Sequence, residues 1–161
     1  MVIVRAKVAG ASQRSLERFL ASARRAAGVS GEVNVLITGG AEMRRLNRTF
    51  RGKDRATDVL SFPAPANGAG GEVAVSASMA ASHARLLGHS TRKELEVLIL
   101  HGLLHLAGYD HERDRGQMAR KEERLRHALG LPAGLIERTL TGTKRTEGRA
   151  RRRSPRRSRK S

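Results

Sequence analysis

Residues 91–111 read TRKELEVLILHGLLHLAGYDH. Thr91 stands where a helix cap belongs. A long helix is expected to run from there through Leu106 and to stop at Gly108. Val97 to Ala107 is the longest apolar stretch of the chain. It is interrupted by His101 and His105 and is too short to span a bilayer. Four residues advance ~400° along a helix, so these two histidines differ by only ~40° in direction and sit ~6 Å apart along the axis. Both imidazoles can therefore reach one ion at a metal–nitrogen distance of ~2.0–2.1 Å. His111 would lie too far round on a straight helix. A left-handed glycine at position 108 can end the helix, turn the chain back and bring His111 to the same ion.

Outward from this segment, apolar periodicity places the remaining elements. Residues 2–8 alternate apolar and polar as a half-buried strand does. Ser12 or Ser15 can cap a helix to about Ala27, with Leu16, Phe19, Leu20 and Ala23 as its buried stripe. Residues 32–38 read as a strand ended by Gly39-Gly40, and residues 41–50 as a short helix with Met43 and Leu46 inward. Arg51 to Gly70 reads as loop, a short strand at residues 59–62, and loop again. Residues 71–76 fit a strand, 78–87 a helix, 112–129 a charged helix, and 132–140 a last short one. Strands early and the histidine-bearing helix late suggest an α/β (α+β) domain: a single small mixed sheet packed with helices.

A chain of 161 residues suits one domain. The expected division is a globular unit over residues 1–140 and a basic, disordered tail over 141–161. From Lys144 onward there are ten Lys or Arg against one acid, Glu147, which places +9 of the +17 net charge in the tail. Such a segment cannot bury enough apolar surface to order itself. The body keeps +8. Both halves favour a polyanionic partner. With one Tyr, three Phe and no Trp, contacts to nucleic acid should rest mainly on phosphates. There is no cysteine, so a metal must be held by His, Asp or Glu. No signal-peptide pattern opens the sequence, and a cytoplasmic protein away from membranes is expected.

One histidine on an apolar helix is usually a packed core residue, and chance HxxxH pairs are common. Three of the chain's six histidines in the order H-x3-H-x2-G-x2-H form a far rarer pattern. Three neutral ligands leave a fourth position open, the mark of a catalytic site rather than a structural one. The spacing is that of the metzincin signature HExxHxxGxxH, except that Gly102 stands where the protease has its glutamate base. Gly102 cannot take a proton, which argues against ordinary peptidase chemistry. Three imidazoles accept Zn, Ni, Co or Cu, so the ion is not fixed by the ligands alone.

HGLLHLAGYDH, together with LNRTFRGKDRATDVLSFP at 46–63 and GEVAVS at 71–76, resembles the YbeY family of bacterial rRNA maturation factors, over most of residues 30–130. The resemblance implies a single-domain, zinc-binding endoribonuclease concerned with 16S rRNA 3′-end processing and ribosome quality control. It implies one Zn²⁺ on His101, His105 and His111, and a functional arginine at Arg51. The expected partners are rRNA, ribosomal particles and ribosome-associated proteins, with the chain itself a monomer.

A guanidinium matches phosphate oxygens in a two-pronged fork, so Arg51 is the candidate phosphate clamp, with Lys53 assisting as a point charge. Asp110 adjoins His111 and could orient a ligand ring, or equally serve as a turn residue. Asp58 could tie down its loop. Glu72 and Glu112 read as surface charges, and Ser61 has no adjacent base. Metal-activated water and the RNA 2′-hydroxyl both fit as nucleophile. A metal-binding ribosomal factor without catalysis, and another zinc hydrolase, remain as alternatives.

Overall fold

A computed structural model describes residues 1–66, 69–136 and 138. The elements run β1 (Val2–Val4), α1 (Gln13–Ala27), β2 (Val33–Thr38), α2 (Gly40–Arg51), β3 (Val59–Pro63), β4 (Gly71–Ser76), α3 (Ala77–Leu87), α4 (Thr91–Leu106) and α5 (Gln117–Ala128). One four-stranded sheet has the order β1-β2-β4-β3. β1 and β4 flank β2 in parallel, and β3 joins β4 antiparallel as the edge beside the histidines. This is the mixed α/β architecture expected.

Strand alternation divides the core between the two faces. Val33, Val35 and Ile37 of β2 and Val73 and Val75 of β4 meet Leu16, Leu20 and Ala23 of α1 and the apolar length of α4. On the other face Ala74 and Leu60 pack on Met43 of α2, with Leu36, Leu46 and Phe62 around them. The period-2 pattern thus assigns neighbouring residues to opposite layers.

α4 is the central element. Twelve of its sixteen residues are buried, and it touches α1, α3, α5, β3 and β4. From Val97 onward the helix is apolar on nearly every side and has no solvent face to offer, and it is wrapped accordingly. Leu95, Leu98, Leu103, Leu104 and Leu106 are fully buried, each contributing about 1.5–3 kcal/mol of transfer free energy. The histidines are therefore mounted on the most firmly held element of the fold.

Several boundaries differ from expectation. β1 stops at Val4 rather than residue 8: its partner β2 ends at Thr38, and after Arg5 and Ala6 donate to the Ile37 carbonyl no strand remains to pair with. Ser90, not Thr91, caps α4, its hydroxyl accepting the Lys93 N–H at 3.2 Å. Ser12 caps α1 and Ser15 returns the bond to the Ser12 N–H. The helix expected from residue 112 begins at Gln117, because Asp114 accepts the N–H groups of Gly116 and Met118 and holds the preceding residues in turns. Of the last short helix, residues 135, 136 and 138 are helical. The basic tail at 141–161 lies outside the described residues. Among the described residues no helix is long and apolar enough to cross a membrane.

Candidate metal centre and its cleft

The end of α4 is built as the residue types demand. Gly108 is left-handed, with φ 96°. Its N–H donates to the His105 carbonyl at 3.0 Å, and the Tyr109 N–H donates to the Leu104 carbonyl at 3.0 Å. This double closure reverses the chain directly beyond the helix. His111 returns toward the last turns of α4, and its ring centroid lies 5.3 Å from that of His101 and 5.4 Å from that of His105. The ligand nitrogens of the three residues all lie within 4.8 Å of one another.

The donor set fits a metal ion. His101 and His105 present their Nε2 atoms to each other at 3.2 Å. Tetrahedral ligands at ~2.05 Å from an ion stand ~3.3 Å apart, so this pair is already at ligand spacing. The second ring nitrogens settle the tautomers. The Tyr109 carbonyl can only accept, and it sits 3.0 Å from His105 Nδ1. The Glu122 carboxylate lies 3.0 Å from His101 Nδ1. Each Nδ1 therefore carries a proton, and in the ligand form of the rings the two Nε2 atoms are left as lone pairs aimed at one another. Two lone pairs at that distance repel unless a cation lies between them. Burial, followed by the neighbouring His101 and His111, pushes the His105 pKa down from 6.5 to about 4, against the opposing pull of the Tyr109 carbonyl and Asp110. His105 is thus neutral at physiological pH, as a ligand must be.

Burial is graded across the triad. His101 is buried, His105 partly buried and His111 exposed. The open side faces a cleft of about 630 Å³, whose lining includes Arg51, Lys53, Arg55, Asp58 and Ser61 along with the three histidines. Arg51 closes α2, and Lys53 follows the left-handed Gly52. Buried Asn47 fixes this loop: its side-chain amide donates to the Arg55 carbonyl at 2.9 Å, and its own carbonyl accepts the Lys53 N–H at 3.3 Å. Elsewhere on α2, Arg44 is held by Asp54 at 2.8 and 3.0 Å and Arg45 by Glu42 at 2.9 and 2.6 Å. Arg51 and Lys53 have no ion-pair partner among the described residues. Arg113, another cation of the cleft lining, is instead paired with Asp110.

The structure brings His101, His105, His111, Arg51 and Lys53 to one cleft. Asp110 also lines it, but its carboxylate serves the turn: it accepts the Glu112 N–H at 3.1 Å and pairs with Arg113 at 3.6 Å. Asp58 caps its own loop by accepting the Val59 N–H at 2.8 Å. Ser61 is buried and donates to the Gly102 carbonyl at 3.2 Å, so its hydroxyl ties β3 to α4. The residue that sequence reasoning missed is Glu122. It is buried, and besides His101 its other oxygen accepts the Ile136 N–H at 3.0 Å. Its signal was present: Met118, Glu122 and Leu125 form the buried stripe of α5 at positions i, i+4 and i+7, which puts an acid where an apolar residue is expected.

Gly102 has a packing role beyond the missing base. A Cβ there would lie 2.6 Å from Val73 Cγ1 and 3.1 Å from Ser61 Oγ. No glutamate fits that position without parting α4 from the sheet.

The family model described as Endoribonuclease YbeY matches residues 3–130. A curated relative of that name from Koribacter versatilis is 54% identical over 152 residues, covering 94% of this chain and 100% of its own. Another, from Solibacter usitatus, is 52% identical over 124 residues, covering 77% and 84%. A solution structure of a protein from Thermotoga maritima aligns with TM-score 0.56 and 32% identity, over 77% of this chain and 85% of that one.

Proposed function

The chain belongs to the YbeY endoribonuclease family, and from that premise we propose that it is a zinc-dependent, single-strand-specific endoribonuclease acting in 16S rRNA 3′-end maturation and ribosome quality control. One observation carries the reading: three imidazoles converge in a cleft whose lining also includes Arg51 and Lys53, cations with no ion-pair partner among the described residues. A metal centre facing free cations suits a substrate whose reacting group is an anion.

Phosphodiester cleavage gathers negative charge on the phosphoryl oxygens, and catalysis follows from meeting that charge with groups already in place. When bound, the ion supplies Lewis-acid charge there and makes water a stronger acid. The chain's own residues do the rest. Glu122 and the Tyr109 carbonyl hold the His101 and His105 rings with Nε2 toward the cleft. Arg51 engages two phosphoryl oxygens through its fork, and Lys53 adds a point charge. The +8 on the body outside the tail draws a polyanion to this surface. The setting we propose is cytoplasmic, with rRNA and ribosomal particles as partners of a monomeric chain. Peptide hydrolysis is disfavoured, since the protease base has neither its residue nor room for one at Gly102.

The test is cleavage of a single-stranded 16S precursor fragment by the full chain, with metal content measured on the same sample. Cleavage should disappear with chelation and with His105→Ala, and return when zinc is restored to the wild type. Arg51→Ala should retain the metal and the fold while losing on the order of 100-fold in rate. Cleavage that survives both chelation and His105→Ala refutes the catalytic role of the metal. Processing unchanged by Arg51→Ala favours a ribosome-associated factor that uses the ion only to fold.

A further inference from the structure

Four aromatic residues serve the whole chain, and two of them meet where the end of α2 lies against β3. Phe50, in the last turn of α2, is 63% exposed. Its ring makes an edge contact with Phe62 of β3, with centroids 5.1 Å apart and planes at 63°. Their sequence neighbours Arg51, Ser61 and Pro63 line the cleft itself. Phe50 continues the inward stripe of Met43, Leu46 and Asn47, but β3 is the edge of the sheet and, among the described residues, no further strand lies beyond it to cover the ring. A large apolar ring is thus left in water, steadied on one side by Phe62.

We propose that Phe50 is a stacking platform for a nucleobase of the single-stranded substrate, adjacent to the phosphate that Arg51 engages. This rests on the endoribonuclease reading and specifies where a base, rather than the backbone, is held. A base has an apolar π-face and an anionic backbone beside it, and Phe50 offers the matching pair: an exposed aromatic ring with free cations, Arg51 and Lys53, directly following it in the chain. A protein-binding hot spot would instead be ringed by other apolar contacts. The other exposed large hydrophobic residues, Met1, Ile3, Leu86 and Leu87, belong to other elements. Stacking is indifferent to base identity but requires an unpaired base, so the platform selects single strands without reading sequence.

The experiment measures binding of the zinc-loaded full chain to a fluorescent 2′-O-methyl 12-mer, which resists cleavage, alongside kcat/KM on the matching RNA. Phe50→Ala should weaken binding about tenfold, within the roughly 5- to 150-fold range for losing one stacked base. Phe50→Tyr should restore it. Phe50→Leu, apolar but without a π-face, should behave like alanine. An abasic nucleotide walked along the 12-mer should cost the wild type about tenfold at one position and cost Phe50→Ala nothing more there. Unchanged affinity in Phe50→Ala, full affinity in Phe50→Leu, or an abasic penalty that persists in Phe50→Ala overturns the proposal. A wild type that neither binds nor cleaves RNA overturns the endoribonuclease reading as well. One that does both while Phe50→Ala matches it overturns this inference alone.

Discussion

Replacing Gly102 by alanine sets two opposing effects against each other. Helix propensity favours the change: alanine in a helix interior is about 1 kcal/mol better than glycine. Packing opposes it. The new Cβ would stand 2.6 Å from Val73 Cγ1 and 3.1 Å from both Val73 Cγ2 and Ser61 Oγ, whereas carbons in contact settle at ~3.5–4.0 Å. Close to 1 Å must be found at the first contact. Val73 cannot readily rotate away, because a β-branched side chain is stiff at χ1 and this one is buried on a central strand. The Ser61 hydroxyl is committed to the Gly102 carbonyl. Overpacking of this kind costs about 1–3 kcal/mol, occasionally more. With close to 1 Å to absorb against a stiff, buried valine, the cost lies in the upper part of that range, about 2–3 kcal/mol, so the clash wins and Gly102→Ala should be destabilising by about 1–2 kcal/mol. The shift falls on the residue beside His101 and one turn before His105, so metal affinity should fall with stability.

The check is a double-mutant cycle with Val73→Ala, read by urea unfolding of metal-free and zinc-loaded protein and by zinc competition against a chromophoric chelator. Val73→Ala alone opens a cavity and should cost on the order of 2 kcal/mol. In the double variant the methyl group added at position 102 occupies space the valine vacated, so the pair should be more stable than the sum of the singles by at least about 1 kcal/mol. Two results would refute the reasoning: Gly102→Ala as stable as wild type, or single effects that add to within about 0.5 kcal/mol. Either would mean that α4 and β4 are not in the close contact on which the placement of the histidines depends.

Glu122→Gln keeps shape but offers one acceptor where His101 and Ile136 each need one. If the amide nitrogen faces His101, it favours the tautomer with the proton on Nε2 and blocks the ligand atom. Zinc affinity should fall about 10- to 100-fold, and unchanged affinity in the chelator competition would remove Glu122 from the centre. In metal-free protein, the lowered His105 pKa makes the unfolded chain bind more protons than the folded one between pH 6.5 and about 4. That contribution to stability is complete above pH 6.5 and is lost as pH falls toward 4. The wild-type Tm should therefore drop more steeply from pH 7 to pH 5 than that of His105→Gln; parallel slopes would contradict the desolvated environment assigned to the ring.

What the sequence made legible was local. The HxxxH step is fixed by 3.6 residues per turn, and the return of His111 by one left-handed glycine, so both needed only neighbouring residues. β2 and β4 alternate cleanly and were placed within a residue or on the residue. β1 was read too long because alternation says nothing about whether a partner strand continues alongside. The start of α5 was read too early because Asp114 was seen as one more charge on a helix, when its two oxygens hold the turn that precedes it. Glu122 lies twenty-one residues from His101. The carboxylate adjacent in sequence to a ligand is Asp110, and the neighbouring turn uses it. Gly102 was legible as the absence of a base but not as a contact with Val73, since that contact joins elements far apart in the chain.

The two walls of the cleft are held by different means, and this separates their functions experimentally. The histidine wall rests on a helix buried on all sides, a backbone carbonyl and a buried carboxylate. Displacing any of these acts on the metal before it acts on the substrate. The cation wall is the end of α2 and the loop after it, exposed and tethered through Asn47 and the Arg44–Asp54 pair. Among the described residues Arg51 and Lys53 have no ion pairs to break before meeting a phosphate, so they can follow a reacting group as its charge grows. Substitutions at Arg51 should accordingly appear in turnover with metal content intact, and those at Glu122 or Gly102 in metal content first. A chain in which Arg51→Ala released the ion would show instead that the walls are mechanically one, and that the loop supports the histidines rather than opposing them.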